Sequence, residues 1–583
     1  MAAISVINEA TGKTVKLKDK QFLASGGEGK VFLVNGVIYK VCHDISNMIP
    51  KEKIQELWAL SSHGNIACPE DILVTSNKAR TPIGYTSKFI PNSIPIAKLV
   101  SNGFRTKQGF GAEQTVELVE SLVKMVKFVH SHPGILIVDL NEFNFLVNEL
   151  KLTDPFAIDV NSWQTQNFPA SAIMLHIIDH KTSKFSKLTD WFSLGVVSTM
   201  LFLGDGPYGG RHPNFAARDI KARQAATASI FGPGVTLNKN IRSFDVIPDQ
   251  YRSWLESMFQ KGMRLPPPDV LGLMSLESIV VKLLTGSDLF EIVKLSEYTS
   301  DVIEWRSVNN TVICITKNSL IVGNESKKIR RNDLDVVVTD ESRTPIAIAI
   351  KKDSTTSGLP SGYGLLSLVN FLTNDPIGGA SLAAKGFFVA GNRIYVLSVD
   401  KVIELGIREM GSKIVAAVNK EWAFQSLSST VYSGLIYSDI FGKPYLTIPY
   451  AVGKCLKRHF PELDGIKITD AKYESGVAFV IGADQDGKYN KYIFVFDEKH
   501  STHTTIEEKD ITPSDINFTV LDNGTVAYID SNDALVLFKK DAPDKRKEIR
   551  DPAVHGGMTL TKRGTQAMAF VGKTVYTISM KTP

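Results

Sequence analysis

The spacing of apolar residues changes near residue 285 and divides the chain into two parts. Before that point, helical and strand patterns alternate. Residues 116–129 place apolar side chains at i, i+3 and i+4 spacing, which predicts an amphipathic helix. Residues 191–203 are apolar almost all round, which predicts a helix buried in the centre of a domain. Residues 275–284 predict one further helix.

Beyond about residue 290 the helical period disappears and a strand–turn–strand unit repeats. Each unit has an apolar strand, a turn containing Gly, Asn or Asp, and a second apolar strand. The units begin on average about 42 residues apart, the blade length of a β-propeller. We expect seven blades; six is the alternative, because the second unit is the weakest, and a large β-sandwich is the competing fold. The units are residues 311–322, 346–369, 386–399, 434–448, 476–496, 524–538 and 565–578.

The two ends of this repeating part are expected to meet. The last unit ends at Ile578, and only five residues follow, too few for another strand. The seventh blade would therefore lack its outer strand. Residues 289–295 precede the first unit and alternate partly in polarity, so we expect them to supply it. Closure of this kind removes an exposed sheet edge.

Composition excludes several classes of protein. The 583 residues are 43% hydrophobic and 22% charged, which excludes a mainly disordered chain, a collagen-like fibre and a coiled coil. A net charge of +5 gives no reason to expect nucleic acid or an anionic membrane surface as a partner. The sequence has no signal-peptide pattern, no apolar run long enough to span a membrane and no C-x-x-C pair, so we expect a cytoplasmic protein.

Four segments of the first part carry residues suited to phosphate chemistry. The first, residues 24–31, keeps the second and third glycines and the valine of a G-x-G-x-x-G-x-V loop, with Ala24 at the first glycine. Glycines in such a turn let backbone N–H groups approach phosphates closely. The candidate phosphate-binding residues are Gly26, Gly27, Gly29 and Val31.

The second segment, residues 37–41, places Lys40 inside an apolar strand, where a lysine needs a partner. The next helix candidate, residues 50–60, contains Glu52 and Glu56. An ion pair with one of them would hold the ammonium where it can bind phosphates. We favour Glu52 and keep Glu56 as the alternative.

The third segment, residues 135–147, has the spacing D-L-x-x-x-N-x-L-V. It places Asp139 and Asn144 on one loop, as a carboxylate that accepts a hydroxyl proton and an amide that ligates a metal.

The fourth segment, residues 156–161, delivers Asp159, an oxygen ligand suited to Mg²⁺ beside a triphosphate. Asp190 opens the predicted buried helix, and we expect it to anchor the backbone of the Asp139 loop.

In this order the segments resemble the protein-kinase fold over about residues 15–285. The most similar form is a divergent group of bacterial and phage kinase-like proteins, through the stretches DLNEFNFLV, IDVNSWQ and TDWFSLGVV. The resemblance implies a multidomain protein: an α+β protein-kinase-like domain at residues 1–285, then an all-β propeller at residues 286–583. The N-lobe would end near residue 90 and the C-lobe would begin at 91.

The same resemblance implies ATP and Mg²⁺ as ligands, with Ser87 as the gatekeeper and Phe89 in the hinge that binds adenine. The chain also departs from the family pattern. Ile137 and Val138 replace the His and Arg before Asp139, which argues against activation through a phosphorylated loop. Asn141 replaces the lysine that steadies the γ-phosphate, and the A-P-E segment for peptide docking is absent.

The functional hypothesis is an atypical kinase-like protein that transfers a phosphoryl group from Mg-ATP to Ser or Thr of a protein. Lys40 would position phosphates, Asp139 would act as base, and Asn144 and Asp159 would hold Mg²⁺. The propeller would recruit the protein partner or substrate. The alternatives are a pseudokinase scaffold without catalysis, a structural component such as a phage-particle protein, found in the host cytoplasm or virion, and a small-molecule kinase.

Overall fold

A computed structural model describes most of the chain, in two parts. The N-terminal region, within residues 4–269, combines sheets and helices, and the remainder, within residues 287–581, is built from strands and is called the ring below. The expected helix at 275–284 and the expected domain boundary at 285–286 lie outside the described residues. The described residues are 4–216, 219–269, 287–308, 310–329, 334–352, 359–360, 362–379, 382–411, 413–513 and 516–581.

The N-terminal region begins with a seven-stranded antiparallel sheet of order β2-β1-β6-β7-β5-β4-β3. In β5, Lys40 lies opposite Val31 of β4 and Tyr85 of β7. Two residues away, Ile38 lies opposite Ser87. Because opposed residues project from the same face, Val31, Lys40, Tyr85 and Ser87 share one face of the sheet. The strands are β1 (Ile4–Asn8), β2 (Thr14–Leu17), β3 (Phe22–Ser25), β4 (Gly29–Val34), β5 (Val37–Cys42), β6 (Pro69–Thr75) and β7 (Pro82–Lys88).

Helices form the core of the second half of this region. The helix predicted at residues 116–129 lies within α3 and the one at 191–203 within α4, so both predictions are confirmed. Every residue of α4 from Thr189 to Leu203 is buried, because α3 and α6 pack around it. The helices are α1 (Lys51–Leu57), α2 (Asn102–Gln108), α3 (Ala112–His130), α4 (Lys187–Leu203), α5 (Ile220–Ala225) and α6 (Asp249–Phe259); a small sheet contains β8 (Ser93–Pro95), β9 (Phe145–Asn148) and β10 (Lys151–Ala157).

The described residues of the ring form seven antiparallel four-stranded sheets. Each predicted strand–turn–strand unit supplies two adjacent strands of one sheet, so the count is seven and not six. The unit at 386–399 holds the first two strands of its sheet, whereas the other six hold two later ones. The strands, sheet by sheet, are β11 (Phe290–Glu297), which belongs to the last sheet; β12 (Val302–Val308), β13 (Thr311–Thr316), β14 (Ser319–Val322), β15 (Glu325–Lys328); β16 (Leu334–Val338), β17 (Pro345–Lys351), β18 (Gly364–Asn370), β19 (Ala383–Ala384); β20 (Gly386–Ala390), β21 (Arg393–Leu397), β22 (Lys401–Met410), β23 (Lys413–Ala423); β24 (Ser429–Tyr432), β25 (Leu435–Ile440), β26 (Lys443–Ala451), β27 (Lys454–His459); β28 (Lys467–Glu474), β29 (Val477–Ala483), β30 (Tyr489–Phe496), β31 (His503–Glu508); β32 (Phe518–Val520), β33 (Thr525–Ile529), β34 (Leu535–Lys539), β35 (Ala542–Ile549); and β36 (Thr559–Arg563), β37 (Gln566–Val571), β38 (Thr574–Met580).

The ring is closed by its first strand. β11 pairs antiparallel with β38, from Phe290 opposite Met580 to Glu297 opposite Thr574, so the predicted closure is confirmed. An apolar cluster also lies between every two successive sheets and between the seventh and the first. The arrangement is therefore propeller-like, and its stability comes from burial between sheets.

Apolar side chains of the ring pack against the N-terminal region, for example from the fifth and the fourth sheets. Ile481, Ala483 and Tyr489 of the fifth sheet join the apolar core that contains α3, α4 and α6. In the fourth sheet, Phe441 lies between β25 and β26, and its ring centroid is 4.6 Å from that of Phe22 in β3. Among the described residues, each helix is too short or too polar to cross a membrane.

Candidate active site

Lys40 is the centre of a buried polar network. It is 7% exposed, and its Nζ donates to Glu28 Oε2 at 3.0 Å, Asp159 Oδ1 at 3.0 Å and Asn161 Oδ1 at 3.2 Å. Burial alone would lower the pKa of Lys40, but Asp159 and Glu28 raise it well above its usual value. The ammonium is therefore charged at neutral pH.

Asn161 and Tyr85 complete this network. Tyr85 donates its hydroxyl to Asn161 Oδ1 at 2.6 Å, and Asn161 Nδ2 donates to Glu28 Oε2 at 2.7 Å. Burial alone would raise the pKa of Glu28, but Lys40 and Asn161 lower it. The four polar groups around the ammonium thus hold one another in place.

The predicted pairing of Lys40 with Glu52 is wrong, and Glu28 takes that place. Helix α1 buries Lys53, whose ammonium donates to the carbonyl of Pro169 at 3.2 Å, and leaves Glu52 exposed. The alternative, Glu56, accepts instead from Asn167 Nδ2 at 2.6 Å. The face of α1 that points inward therefore carries a cation and no carboxylate.

The loop at residues 135–144, called the Asp139 loop, holds its two predicted functional residues together. Asp139 Oδ2 accepts from Asn144 Nδ2 at 2.8 Å, and Asp139 Oδ1 accepts from the backbone N–H of Met174 at 2.9 Å. Since the Asn144 nitrogen is used in this bond, its amide oxygen is the atom that can ligate a cation. Asn141 Oδ1 accepts from the backbone N–H groups of Phe143 and Asn144 and so fixes the turn between them.

Asp190 anchors the backbone of this loop, as predicted. Its carboxylate is fully buried and accepts from the N–H groups of Ile137 and Val138, both at 2.9 Å, while His130 Nε2 lies 2.9 Å from Oδ2. Val138 has a φ of 61°, a left-handed value that is unusual for a β-branched residue. The two bonds to Asp190 help to hold that strained backbone, which positions Asp139.

Asp159 follows β10 and also has a left-handed φ, of 55°. Its Oδ1 accepts from Lys40, yet 49% of its side chain is exposed. The Lys40 ammonium lowers the pKa of Asp159, and the charge of Lys467 from the ring lowers it further. The carboxylate is therefore ionised and open on one side.

The glycine turn, residues 26–29, joins β3 to β4. A Cβ added at Gly26 or Gly27 would meet no atom within 4 Å, so this side of the turn is open to a ligand. At Gly29 it would lie 2.5 Å from the carbonyl oxygen of Val41, so only glycine fits beside β5. Gly29 is thus required by the sheet itself.

The remaining predicted residues lie along the same sheet. Val31 and Ser87 share the face of Lys40, as the register shows, and both are half-buried. Phe89 follows the end of β7 and is also half-buried. The adenine-binding roles implied for Ser87 and Phe89 stay predictions.

The ring contacts the Asp139 loop directly. The carboxylate of Glu142 is fully buried; its Oε1 accepts from the hydroxyl of Tyr489 at 3.0 Å and its Oε2 lies 2.9 Å from His176 Nε2. The aromatic side chain of the next residue, Phe143, stacks near that of Tyr489. The Nζ of Lys467 lies 4.8 Å from the centroid of the Phe143 side chain.

A second contact of the ring is made at the end of β3, just before the glycine turn. Asp439 Oδ2 accepts from the backbone N–H of Ser25 at 2.9 Å. Burial raises the pKa of Asp439. The ring therefore contacts both sides of the cleft between the seven-stranded sheet and the Asp139 loop.

Comparison with protein-family models and with curated proteins finds no match to this chain. The geometry alone therefore defines the site. Sequence reasoning missed Glu28, Asn161, Tyr489 and Lys467. Glu28 stands between the glycines of a predicted phosphate loop, and Asn161 stands two residues after a predicted metal ligand, so their positions could have suggested them. The sequence around Tyr489 and Lys467 of the ring carries no signal of this kind.

Proposed function

We propose that the N-terminal region is a protein-kinase-like unit that binds Mg-ATP in the cleft between the seven-stranded sheet and the Asp139 loop, and that the ring is a seven-bladed β-propeller. The supporting observation is the convergence of distant segments: Lys40 and Asp159, separated by 119 residues, form an ion pair at 3.0 Å. A buried ammonium beside a half-exposed carboxylate suits a phosphate and the cation that accompanies it.

The residues present fit a magnesium ion. Asp159 offers an ionised carboxylate that is open on one side, and Asn144 offers its amide oxygen; both are the hard oxygen ligands that Mg²⁺ prefers. Bound there, the metal would neutralise phosphate charge. Lys40 would hold the phosphates, and the open side of the glycine turn would leave room for them.

The proposed reaction is transfer of the terminal phosphoryl group of ATP to a hydroxyl, with Asp139 as the base. Asp139 is held by Asn144 and by the Met174 N–H, and a carboxylate retains lone pairs beyond these two bonds. The acceptor oxygen would lose its proton to Asp139 as it forms a bond to phosphorus, and ADP would leave. The proposed acceptor is Ser or Thr of a protein that the propeller recruits.

A second candidate function is a nucleotide-binding scaffold without catalysis. Asn141 is fully buried and is uncharged, and the backbone partners of its side chain, Asp139, Phe143 and Asn144, all lie within the Asp139 loop, so it brings no charge to a phosphate. A small-molecule acceptor is a variant of the first candidate, favoured by the ring's cover over the Asp139 loop at Glu142.

Binding is tested by titration calorimetry of the full chain with ATP, with and without Mg²⁺. Lys40→Ala is expected to weaken binding by at least tenfold, because it removes a charge-assisted contact. Lys40→Arg keeps the charge and checks that the loss is not one of folding. Lys16→Ala, an exposed lysine on the edge strand β2, is the matched control and should bind as the wild type does. Absence of heat with millimolar Mg-ATP would contradict the proposal.

Transfer is tested separately, with ATP labelled at the γ-phosphate and a cell extract as acceptor. Asp139→Asn should abolish transfer and leave ATP affinity within about twofold, since a base acts on the acceptor and not on bound nucleotide. Binding without any transfer by the wild type would favour the scaffold.

A further inference from the structure

The proposed nucleotide site is poor in positive charge. Three carboxylates border it, those of Glu28, Asp139 and Asp159, whereas Lys40 already forms ion pairs with two of them. Lys53 lies on the buried face of α1 and donates to the carbonyl of Pro169. A triphosphate brought to this cleft needs further cations to offset its charge.

The ring presents such a cation on the surface that meets the cleft. Lys467 begins β28, and the register places it opposite Ala483 of β29, which in turn lies opposite Tyr489 of β30. Opposed residues share a face, so the three side chains form one row. Tyr489 bonds to Glu142, Ala483 is buried in the joint core, and Lys467 is the exposed end of the row.

This row places Lys467 next to the Asp139 loop. Its Nζ is 4.8 Å from the ring centroid of Phe143, the residue next to Asn144. The positive charge of Lys467 also contributes, after that of Lys40, to lowering the pKa of the Asp159 carboxylate. The ammonium therefore lies beside the Asp139 loop, over the residue that precedes the proposed metal ligand Asn144.

Lys467 is also available to bind an anion. Among the described residues, none forms an ion pair with it. Other lysines of the ring are engaged: Lys472 and Lys562 lie near Glu474, and Lys491 pairs with Glu508. An exposed cation held over an aromatic ring beside a phosphate cleft has the chemistry of a phosphate ligand.

We infer that Lys467 of the ring binds the phosphates of the nucleotide that Lys40 and Asp159 hold, so that the nucleotide site is built from both parts of the chain. This inference rests on the proposed function. It assigns the ring a direct role in nucleotide binding, in addition to any recruitment of a partner. Lys467 would act on the triphosphate alone and would leave the adenosine moiety untouched.

The test measures affinity for Mg-ATP and for adenosine by calorimetry on the full-length wild type and on Lys467→Ala, Lys467→Arg and Lys454→Ala. Lys454 is the matched control: it too begins a ring strand, β27, and is exposed. We expect Lys467→Ala to weaken Mg-ATP by about tenfold and adenosine by less than about twofold, since one charge-assisted contact is lost. Lys467→Arg should recover most of the loss, and Lys454→Ala should match the wild type.

The outcomes separate this inference from the proposed function. If the wild type binds Mg-ATP and Lys40→Ala loses it, but Lys467→Ala behaves as Lys454→Ala does, the role of Lys467 is overturned and the nucleotide site stands. Equal losses for ATP and adenosine would also overturn it, because they would indicate a displaced cleft. If the wild type binds no Mg-ATP, the proposed function fails and this inference fails with it. Melting temperatures of the variants, expected to equal that of the wild type, check that each one folds.

Discussion

The bond between Tyr489 and Glu142 offers a direct test of how firmly the ring holds the Asp139 loop. Tyr489→Phe removes one hydroxyl and keeps the aromatic ring, so the packing against Phe143 is retained. The lost bond is 3.0 Å long and its acceptor is a fully buried carboxylate oxygen. Burial and the nearby Glu142 charge raise the pKa of Tyr489, which keeps its proton and donates it.

The magnitude follows from these contacts. A hydrogen bond to a charged group contributes about 1.5–3 kcal/mol, and the upper half of that range applies here because Glu142 Oε1 loses its partner while it stays buried. We therefore expect Tyr489→Phe to lower the free energy of unfolding by about 2–3 kcal/mol. Urea unfolding of the full chain, followed by tryptophan fluorescence, measures it.

Two further variants make this test specific. Tyr445→Phe is the matched control, because Tyr445 is a half-buried tyrosine in strand β26 whose hydroxyl has no hydrogen bond among the described residues. This change should lower the free energy of unfolding by less than about 0.5 kcal/mol. Glu142→Gln completes a double-mutant cycle with Tyr489→Phe, in which the coupling energy should exceed about 1 kcal/mol. A cost for Tyr489→Phe equal to that of Tyr445→Phe, with no coupling, would refute the reasoning.

Three other predictions concern the fold and its pH dependence. Asp190→Asn should lower the free energy of unfolding by about 3 kcal/mol, because it removes a buried charge that two backbone N–H groups and His130 share. Urea unfolding measures this loss, and the control Asp544→Asn, at an exposed position, should cause no measurable loss. Phe290→Ala in the closing strand β11 should cost about 3–5 kcal/mol, against under 1 kcal/mol for exposed Phe185→Ala, and equal melting temperatures would argue against the closure. Burial alone would lower the pKa of His176 and raise that of Glu142, but each partner reverses the direction, so His176 is raised from 6.5 and Glu142 is lowered from 4.5. The stabilisation from His176 is complete below pH 6.5 and is lost as pH rises through its raised pKa, whereas that from Glu142 is complete above pH 4.5 and is lost as pH falls through its lowered pKa. The pair should therefore stabilise most between about pH 4.5 and 6.5. Glu142→Gln should abolish the part of the alkaline decline in melting temperature that comes from this pair.

The features that could be predicted from sequence are those that a local pattern determines. Helices α3 and α4 follow from the spacing of their apolar residues, and the seven sheets follow from a repeat of about 42 residues. The closure by β11 follows from the partly alternating polarity of residues 289–295, which marks a strand before the first unit, and β11 pairs with β38 in the last sheet. The role of Asp190 follows from its place at the start of a helix that is buried all round.

The pairing of Lys40 could not be predicted in this way. Glu28, Glu52 and Glu56 all lie within reach along the chain, and the choice among them depends on which face of α1 turns inward. That face carries Lys53 and Ile54, because burial of Ile54 and Leu57 sets the rotation of the helix. The contacts of Tyr489 and Lys467 are beyond sequence patterns altogether, since they join residues more than 300 positions apart.

The Asp139 loop is held by several separate restraints, and one of the three considered next belongs to the ring. Asp190 holds the backbone at Ile137 and Val138, Asn141 fixes the turn that precedes Asn144, and Tyr489 holds Glu142 between them. The first two lie in the N-terminal region and would persist if the ring moved away. The third would not, and its loss would leave Glu142 paired with His176 alone. The ring is therefore a structural support of the loop that carries Asp139 and Asn144, so a change at the ring surface can alter the proposed active site without touching any residue of the N-terminal region.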